Sequence, residues 1–591
     1  TLHKLDIKTY VELFGPALDW ILHCLGQIAT REKTLSVLRE SSTLLDSQTQ
    51  EETDASKTID GTAYVLQHVL ENFDPKYISG VAVDITKLIN DEVGKSGIDA
   101  TVQLYGSLGK CLVHEPPPES QRLPLLNEIW KHVTKTTDIQ KYVKVSVTFV
   151  EYVIKFFGKK ELNLLLTDLL RHLGKGRAQA NLIDDLKIIA LKTIQQENSF
   201  QKLISLDAFM PFVDVFQGTA QVEVNKALLK LFNEEATEEK VSRDPVVVHT
   251  AFAMAKGLHD SIDSMAVDDE RRQVSELISV YLQKVQFGEE LEQHLNFLVD
   301  SRRFLVHLDL VTKTLTMSVL GLVAKANRRM KGQHNRRTMA FVKACLAFAH
   351  VTIPSVEDRV WQLKSMELAG QMSLNLGLLS QADTFFKAAI TIIPDLPNSN
   401  PSDEVVIGLI SSYSATLVAV PGHPEHGPFY LVKGLLNAVK EYPFQGGDIV
   451  RVQAYGPIIN LLCCLAQQKT LFRIGSVEAN DILFGRDSEY VVELQAMLDM
   501  LVKEALNTTT TARNPHLALS LLNRFFASAQ LSPSSVTVVW DLFCLSRTGM
   551  REEERVCLTN ITKYCLRLSE SSDIKKARLY EELGRRMLAK V

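Results

Sequence analysis

The sequence has 591 residues, of which 46% are hydrophobic and 23% charged, so it is too apolar for a disordered chain and too long for one hydrophobic core. The formal net charge of −5 excludes the broad positive field of a nucleic-acid-binding protein. Eight cysteines without a C-x-x-C pair indicate free thiols in a reducing cytosol. No run approaches the ~18 apolar residues of a membrane span, and no signal peptide is recognisable. Because the first residue is Thr1 rather than Met, we expect a fragment of a longer protein.

Apolar residues recur with helical spacing along most of the chain, and alternating strand patterns are almost absent. Such stripes occupy 18–29, 162–173, 452–466 and 536–543. Four helix starts place a capping residue directly before proline, whose missing N–H would be unpaired at the first helical position anyway. They are Asp74-Pro75, Asp244-Pro245, Asn514-Pro515 and Ser532-Pro533. The sequence therefore predicts an all-α protein.

Glycine and proline interrupt the helical patterns at short intervals, and no long linker separates them. At ~40 residues per helix pair, the chain would hold about 15 pairs. This uniform texture predicts a curved α-solenoid of HEAT-like helix pairs, in which each pair buries its apolar face against the next. We divide the predicted solenoid into a middle part, 1–396, and a C-terminal part, 397–591.

One helix pair, near 367–394, has a more specific spacing. Small and large residues follow the offsets of a tetratricopeptide unit at Gly370, Ala382, Phe386, Ala389 and Pro394. The pair is either a tetratricopeptide-like unit or a chance helical hairpin. In both cases its apolar face is too wide for two helices to bury alone, so neighbouring helices must cover it.

The same pair carries two local signals. Leu368, Met372 and Leu376 predict the buried stripe of its first helix. Ser380 and Asp383 form a Ser-x-x-Asp pattern, which predicts a capping box at the start of its second helix.

The motifs of common enzyme classes do not occur: there is no GxxxxGK[ST] phosphate loop, no HExxH zinc motif and no GxSxG nucleophile. We therefore nominate no catalytic residue and no cofactor, and we expect a protein that acts by binding.

The segment 421–428 reads PGHPEHGP. His423 and His426, with Glu425 between them, could ligate a metal, but zinc needs a third or fourth ligand in fixed geometry and none is visible close by. We prefer a rigid turn between two helices and assign no metal ligand. A metal site and a partner-contact loop are the alternatives.

The segment 325–337 carries six basic residues and no acidic one. It has no aromatic residue on which a base could stack, so a nucleic-acid site is not expected. Arg328, Arg329, Arg336 and Arg337 could contact an acidic membrane, where each basic residue contributes ~1 kcal/mol, or an acidic partner. The alternative is a solvated loop that faces acidic neighbours.

Two stretches of the sequence are the most distinctive for comparison with known families. They are LSQADTFFKAAITIIPDLP from Leu379 and VPGHPEHGPFYLVKGLLN from Val420. Others are FGPALDWI from Phe14, PPPESQRLPLLNEIWK from Pro116, DPVVVHTAFAMAKGLHDSID from Asp244, FGEELEQHLNFLVDSRRF from Phe287 and FVKACLAFAHVTIPS from Phe341. In content and order they resemble the large solenoid subunit of retriever, a relative of the retromer large subunit. Recognisable coverage runs from about Phe14 to Asn437, and the chain would be the C-terminal two-thirds of a family member.

The resemblance implies a cytosolic scaffold, peripheral on endosomes, for cargo recycling. In this family the C-terminal helices grip a small metallophosphoesterase-fold subunit, and the assembly joins coiled-coil and COMM-domain proteins in the Commander complex. The part 397–591 would then hold that subunit, and our candidate contact zone is Pro424, His426, Gly427, Tyr430 and Trp540. An arrestin-fold subunit is not expected on this chain, because the family's basic-aliphatic motif for it does not occur here.

Other functions stay open. The chain could be the large subunit of retromer proper, or a helical-repeat scaffold of another complex, such as an adaptor or a proteasome-lid-like subunit. The winged-helix strand pattern that would favour a proteasome-lid-like subunit does not occur. A helical enzyme or metal protein that uses His423 and His426 is the third possibility.

Overall fold

The computed structural model describes 61–91, 98–174, 180–197, 199–235, 243–262, 267–397, 401–467, 472–485, 487–528, 535–548, 551–571 and 574–590, with Trp20, Cys24 and Pro533. In these ranges the chain is helical and has no β-strand; it has one isolated antiparallel bridge, between His423 and Gly427. The predicted all-α class is thereby confirmed. The chain divides into two compact units, Thr1–Gly288 and Glu289–Val591. Our division at 396/397 stays a prediction, and the stripe predicted at 18–29 lies outside the described ranges, apart from Trp20 and Cys24.

The first unit is a row of helices in sequence order. They are α1 (Gly61–Asn72), α2 (Pro75–Gly80), α3 (Ala82–Asp91), α4 (Ile98–His114), α5 (Glu119–Val133), α6 (Ile139–Phe156), α7 (Lys159–Leu173), α8 (Ile183–Glu197), α9 (Phe200–Ile204), α10 (Phe209–Val213), α11 (Gly218–Glu235), α12 (Pro245–Asp260) and α13 (Asp268–Lys284). Helices α4, α6, α8, α11 and α13 each pack against the next, while α5, α7 and α12 lie against α4, α6 and α11.

The second unit follows the same plan. Its helices are α14 (Leu291–Phe304), α15 (Asp309–Met330), α16 (Arg336–Thr352), α17 (Arg359–Asn375), α18 (Leu379–Ile392), α19 (Asp403–Leu417), α20 (Tyr430–Glu441), α21 (Gly447–Leu465), α22 (Asn480–Leu483), α23 (Ser488–Ala512), α24 (Pro515–Ser528), α25 (Ser535–Ser546), α26 (Glu552–Ser571) and α27 (Ile574–Leu588). Helices α15, α17, α19 and α21 stack in order, and α18 packs against α20. Packing between elements that are close in sequence confirms the solenoid of helix pairs within each unit, while its curvature stays a prediction.

Three of the four predicted Asx-Pro and Ser-Pro helix starts are confirmed. The carboxylates of Asp74 and Asp244 each accept a hydrogen bond of 3.0 Å from the backbone N–H two residues later. The side-chain oxygen of Asn514 accepts two such bonds, both of 3.1 Å. These bonds satisfy N–H groups that have no partner inside the helix. Ser532 lies outside the described residues.

The predicted capping box in the 367–394 pair is wrong. Helix α18 begins at Leu379, one residue before Ser380, so Ser380 lies inside the helix and cannot cap it. The carboxylate of Asp383 instead pairs with the Lys387 ammonium at 2.9 Å, one helical turn further on.

The turn into α18 is made by the end of the preceding helix. Gly377 has φ of +71°, a left-handed conformation that favours glycine. The N–H of Leu378 donates to the Ser373 carbonyl at 2.9 Å, and the N–H of Gly377 donates to the Leu374 carbonyl at 3.0 Å. This is a Schellman closure, and it directs the chain into α18 without a side-chain cap.

The predicted stripe of α17 is also displaced. Leu368, Met372 and Leu376 are only half-buried, whereas Met366 and Ala369 are buried. The reason is that α17 is covered by α18 on one side and by α19 on another, so its buried surface is wider than a single stripe and is rotated from the predicted one.

The tetratricopeptide spacing does correspond to a close approach of two helices. A Cβ built on Gly370 of α17 would lie 2.6 Å from Cε1 of Phe386 in α18, so only glycine leaves room for this ring. Ala382, Phe386 and Ala389 are buried in the same contact. The hydroxyl of Tyr413 in α19 donates to the Phe386 carbonyl at 2.8 Å, and it thereby connects this pair to the next.

Two helical segments of the described chain, Arg336–Ser355 and Gly447–Leu465, are long and apolar enough to cross a membrane by length and composition. They are weak evidence for a span, because the buried core helices of soluble proteins pass the same test. Parts of their apolar windows, 39% and 61%, are indeed buried within the fold.

We expect the substitution Gly370→Leu to destabilise the second unit by about 1–3 kcal/mol, because the new side chain must displace the Phe386 ring from a full core. The unfolding midpoint in urea, compared with that of the wild-type chain, measures the effect. Gly408→Leu is the matched control, since this exposed glycine lies in α19 and a Cβ there meets nothing within 4 Å. Equal midpoints for Gly370→Leu and the wild type would contradict the close packing of α17 on α18.

Candidate partner-contact sites

The 421–428 segment forms a tight turn between α19 and α20. The backbones of His423 and Gly427 exchange two hydrogen bonds, of 3.3 and 3.0 Å, which close the turn. Gly427 has φ of +88°, which glycine adopts without strain. The predicted rigid turn is therefore present, and its tip exposes Pro424 and His426.

The base of the turn is hydrogen-bonded to a residue almost sixty positions later in the chain. The buried Asn480 accepts a 2.7 Å hydrogen bond from the Gly422 N–H and donates one of 3.2 Å to the Val420 carbonyl. A Cβ on Gly422 would lie 2.6 Å from the Pro428 Cα and 2.8 Å from the Phe484 ring. The backbone of Gly422 therefore packs directly against Pro428 and Phe484, with no room for a side chain. The sequence analysis missed Asn480, because no local pattern links it to the turn.

Aromatic stacking adds to this support. The rings of Phe429 and Tyr490 stack with centroids 4.7 Å apart, and Phe484 stacks on the same tyrosine at 5.7 Å. Phe429 follows the turn directly and is buried. The turn is thus fixed to the α22–α23 region on its inner side, while its tip is exposed.

The exposed side of the turn is an aromatic cluster. The imidazoles of His423 and His426 stack at 4.5 Å, and the Tyr430 ring lies 5.5 Å from each. The Lys387 ammonium lies 4.9 Å from the centre of the Tyr430 ring, within the range of a cation–π contact. Four of the five candidate contact residues, Pro424, His426, Gly427 and Tyr430, therefore lie together at one surface.

The histidine pair fits a metal poorly. One potential ligand atom each from His423, Glu425 and His426 lies within 4.8 Å of the others. However, Nδ1 of His423 accepts hydrogen bonds from the N–H groups of Glu425 and His426, at 3.1 and 3.2 Å. A neutral imidazole has one acceptor nitrogen, so its Nε2 must carry the proton and offers no lone pair to a metal. The turn therefore uses His423 as a backbone acceptor, and only two of the three groups remain as ligands.

The basic 325–337 segment is partly neutralised within the second unit. The Arg337 guanidinium makes two hydrogen bonds to the Glu292 carboxylate, of 3.0 and 2.8 Å, and these lower the pKa of the Glu292 carboxyl. Arg329 pairs with the Glu289 carboxylate and donates to the Glu289 carbonyl at 2.9 Å. These contacts agree with the alternative of a solvated loop that faces acidic neighbours.

Arg328 and Arg336 differ from their neighbours. Both are exposed, and neither has an ion pair with a residue of the described ranges. A groove of about 560 Å³ separates the start of α14 from the end of α15 and the start of α16, and the two paired arginines line it. Contact of the four arginines with an acidic surface stays a prediction.

Trp540, the fifth candidate contact residue, is not part of the turn. It lies on α25, half-buried, and its ring stacks on Phe543 with centroids 5.8 Å apart. Arg586 of α27 and Lys590 of the turn after it cover the same ring, at 4.7 and 5.0 Å. The predicted contact zone therefore comprises two distinct surfaces.

His294 of α14 has the clearest acid-sensitive environment of the second unit. Burial, with a smaller contribution from the nearby Lys325 ammonium, lowers the pKa of His294 to about 4. The imidazole is therefore neutral in the fold at neutral pH.

A family model and the curated relatives of this chain indicate the same protein family. The model of the VPS35L C-terminal domain matches residues 45–589. Curated relatives named VPS35 endosomal protein-sorting factor-like are 31% identical in Danio rerio over 94% of this chain and 58% of theirs, and 32% identical in Homo sapiens over 89% and 54%. The relative from Dictyostelium discoideum is 30% identical over 93% of this chain and 55% of its own. The chain thus spans somewhat more than half the length of these relatives.

Among solved structures, a circular tandem repeat protein with novel repeat topology aligns over 98% of this chain and 97% of its own, at 12% identity. Its TM-score of 0.18 is too low to support any argument about this chain.

We expect Asn480→Ala to loosen the turn, because the substitution leaves the half-buried Gly422 N–H and Val420 carbonyl without their partner. Hydrogen exchange of the amides in 420–428 should accelerate about tenfold or more, while exchange in α17 and α18 should not change. The exposed Glu425→Gln is the control within the same turn. Unchanged exchange in Asn480→Ala would show that the turn does not depend on this contact.

The stability of the second unit should fall on acidification because of His294. In the unfolded chain its pKa is about 6.5 and in the fold about 4, so the unfolded state binds more protons between these values and stability is lost as pH falls through this window. At pH 5 the loss attributable to this histidine is on the order of 2 kcal/mol. The difference between the urea unfolding midpoints at pH 7 and pH 5 should be smaller in His294→Gln than in the wild type. Replacement of the exposed His114 by Gln controls for the loss of any histidine, and identical acid dependence in wild type and His294→Gln would refute the assignment.

Proposed function

Because the chain belongs to the family defined by the VPS35L C-terminal domain, we propose that it is a non-enzymatic scaffold subunit of an endosomal protein-sorting complex. The family match over 45–589 is the observation that carries this proposal. The relatives are named as endosomal protein-sorting factors, and stacked helix pairs provide long surfaces for other polypeptides. On this proposal the protein works in the cytoplasm and associates peripherally with endosomes.

The complex that we propose is retriever-like. The two most specific stretches, 379–397 and 420–437, support this assignment, since they resemble the retriever large subunit. The alternatives are the large subunit of retromer proper and a helical-repeat scaffold of another complex. Co-purification with COMM-domain and coiled-coil proteins supports a retriever-like complex, whereas retention of retromer subunits in their place supports retromer proper.

We further propose that the helices of 397–591 bind a small metallophosphoesterase-fold subunit. The turn at 421–428 is suited to such a contact, because its exposed tip is held in one conformation before binding. Its cluster of His426 and Tyr430 with the neighbouring Pro424 offers flat apolar faces beside polar ring atoms, a composition typical of protein interfaces. An arrestin-fold subunit is not part of the proposal for this portion of the protein.

Catalysis is not proposed for the aromatic cluster. The nitrogen of His423 that could act as a base already accepts two backbone N–H groups. Glu425 and His426 are exposed, so no enclosed pocket surrounds them. The geometry at the turn therefore favours recognition over chemistry.

We expect Tyr430→Asp to weaken binding of the metallophosphoesterase-fold subunit about tenfold or more, because an aromatic contact is replaced by a charge. The change is compatible with the helix, since Tyr430 is the first residue of α20 and an acidic residue there is favourable. Binding is measured by co-purification and by titration with the separately expressed subunit. Tyr77→Asp is the matched control, because Tyr77 is a half-buried tyrosine in the first turn of α2, outside 397–591. Equal binding by Tyr430→Asp and wild type would remove the turn from the interface, and failure of the wild-type chain to bind would remove this partner.

A further inference from the structure

Two cations converge on one indole ring near the end of the chain. Cζ of Arg586 lies 4.7 Å and Nζ of Lys590 lies 5.0 Å from the centre of the Trp540 ring. Arg586 lies on α27 and Lys590 lies in the turn directly after it, so two like charges lie near one ring and repel each other. The indole compensates part of this repulsion, because its face is electron-rich.

No acid completes this cluster. Arg586 and Lys590 are exposed, and neither forms an ion pair with a residue in the described part of the chain. Arg585, the immediate neighbour, pairs with Glu581 of its own helix. The two cations thus differ from Arg585, whose charge is balanced within its own helix.

The surrounding sequence has the same bias. Residues 574–591 contain six basic and two acidic residues, whereas the whole chain has a net charge of −5. A local positive surface on an acidic protein steers negatively charged partners to one place.

We propose that Trp540, Arg586 and Lys590 form a docking site for an acidic segment of a partner protein. A carboxylate between the guanidinium and the ammonium would accept hydrogen bonds from both and relieve their repulsion. The open edge of the indole would contact an apolar side chain next to that carboxylate. This inference adds a second, chemically distinct surface to the proposed scaffold and rests on that function.

The observations favour an acidic protein segment over a membrane. A membrane surface gives only ~1 kcal/mol per basic residue, so stable attachment needs several such residues, and this site has two. The indole stacks on Phe543 and is covered by α27, so it cannot insert into a bilayer.

The test uses the full chain and a fluorescent peptide of glutamates around a central phenylalanine. We expect the peptide to bind the wild type and Arg586→Glu to weaken binding about tenfold or more, because a charge-assisted contact becomes repulsive. Arg585→Glu changes the net charge by the same amount on the same helix, so it should weaken binding less than about threefold. The peptide with glutamine in place of glutamate should not bind.

Several results would overturn the proposal. They are equal losses in Arg586→Glu and Arg585→Glu, no binding of the glutamate peptide by the wild type, or binding of phosphatidylserine vesicles that competes with the peptide at higher affinity. Thermal unfolding of both variants shows whether the exposed substitutions leave the fold unchanged. Co-purification of COMM-domain and coiled-coil proteins with the wild-type chain tests the scaffold function separately from peptide binding at this site.

Discussion

The structure depends on one constraint: the apolar surface of each helix pair is wider than the pair can bury alone. The contact of Phe386 shows how the chain meets it. The ring fits against the bare backbone of Gly370 within its own pair, and its carbonyl accepts the hydroxyl of Tyr413 from the next helix. Tyr413 is fully buried, and this burial raises the pKa of its hydroxyl far above the ordinary value, so the hydroxyl remains a donor. Packing within a pair and packing between pairs therefore share the same residues, and neither is stable without the other.

This arrangement determines where binding can occur. Helix faces that stack on neighbours are not available, so recognition falls to the connecting turns and to the exposed faces. The turn at 421–428 is rigid although it is exposed, because Asn480 and the stacked rings of Phe429 and Tyr490 hold its base. A turn supported in this way loses little conformational entropy on binding. A separate contact makes the two histidines poor metal ligands, since Nδ1 of His423 accepts the backbone N–H groups of Glu425 and His426.

Much of the fold could be predicted from local sequence, and the errors have two causes. The caps at Asp74, Asp244 and Asn514 depend only on the next few residues, so they were predicted correctly. The capping box at Ser380 failed because the Schellman closure of the preceding helix starts α18 one residue earlier. Asn480 and the second layer that covers α17 could not be predicted, because their contacts join residues far apart in the chain. Hydrophobic periodicity in a single sequence indicates that a helix has a buried face, but it does not identify the helices that cover this face.

The two basic segments show the same limit in electrostatic terms. In the sequence only 325–337 stands out, as a basic cluster without an acidic residue, whereas 574–591 has acidic residues among its basic ones. In the fold, Arg329 and Arg337 pair with Glu289 and Glu292 at the start of α14, whereas Arg586 and Lys590 contact an indole and have no ion pair within the described ranges. A cation that is already paired must give up its partner before it binds a new acid, so its net contribution to binding is small. An unpaired cation held near another one has no such cost, and a ligand carboxylate removes a repulsion at the same time. Charge density in the sequence is therefore a weaker indicator of a binding site than the absence of an internal partner in the structure.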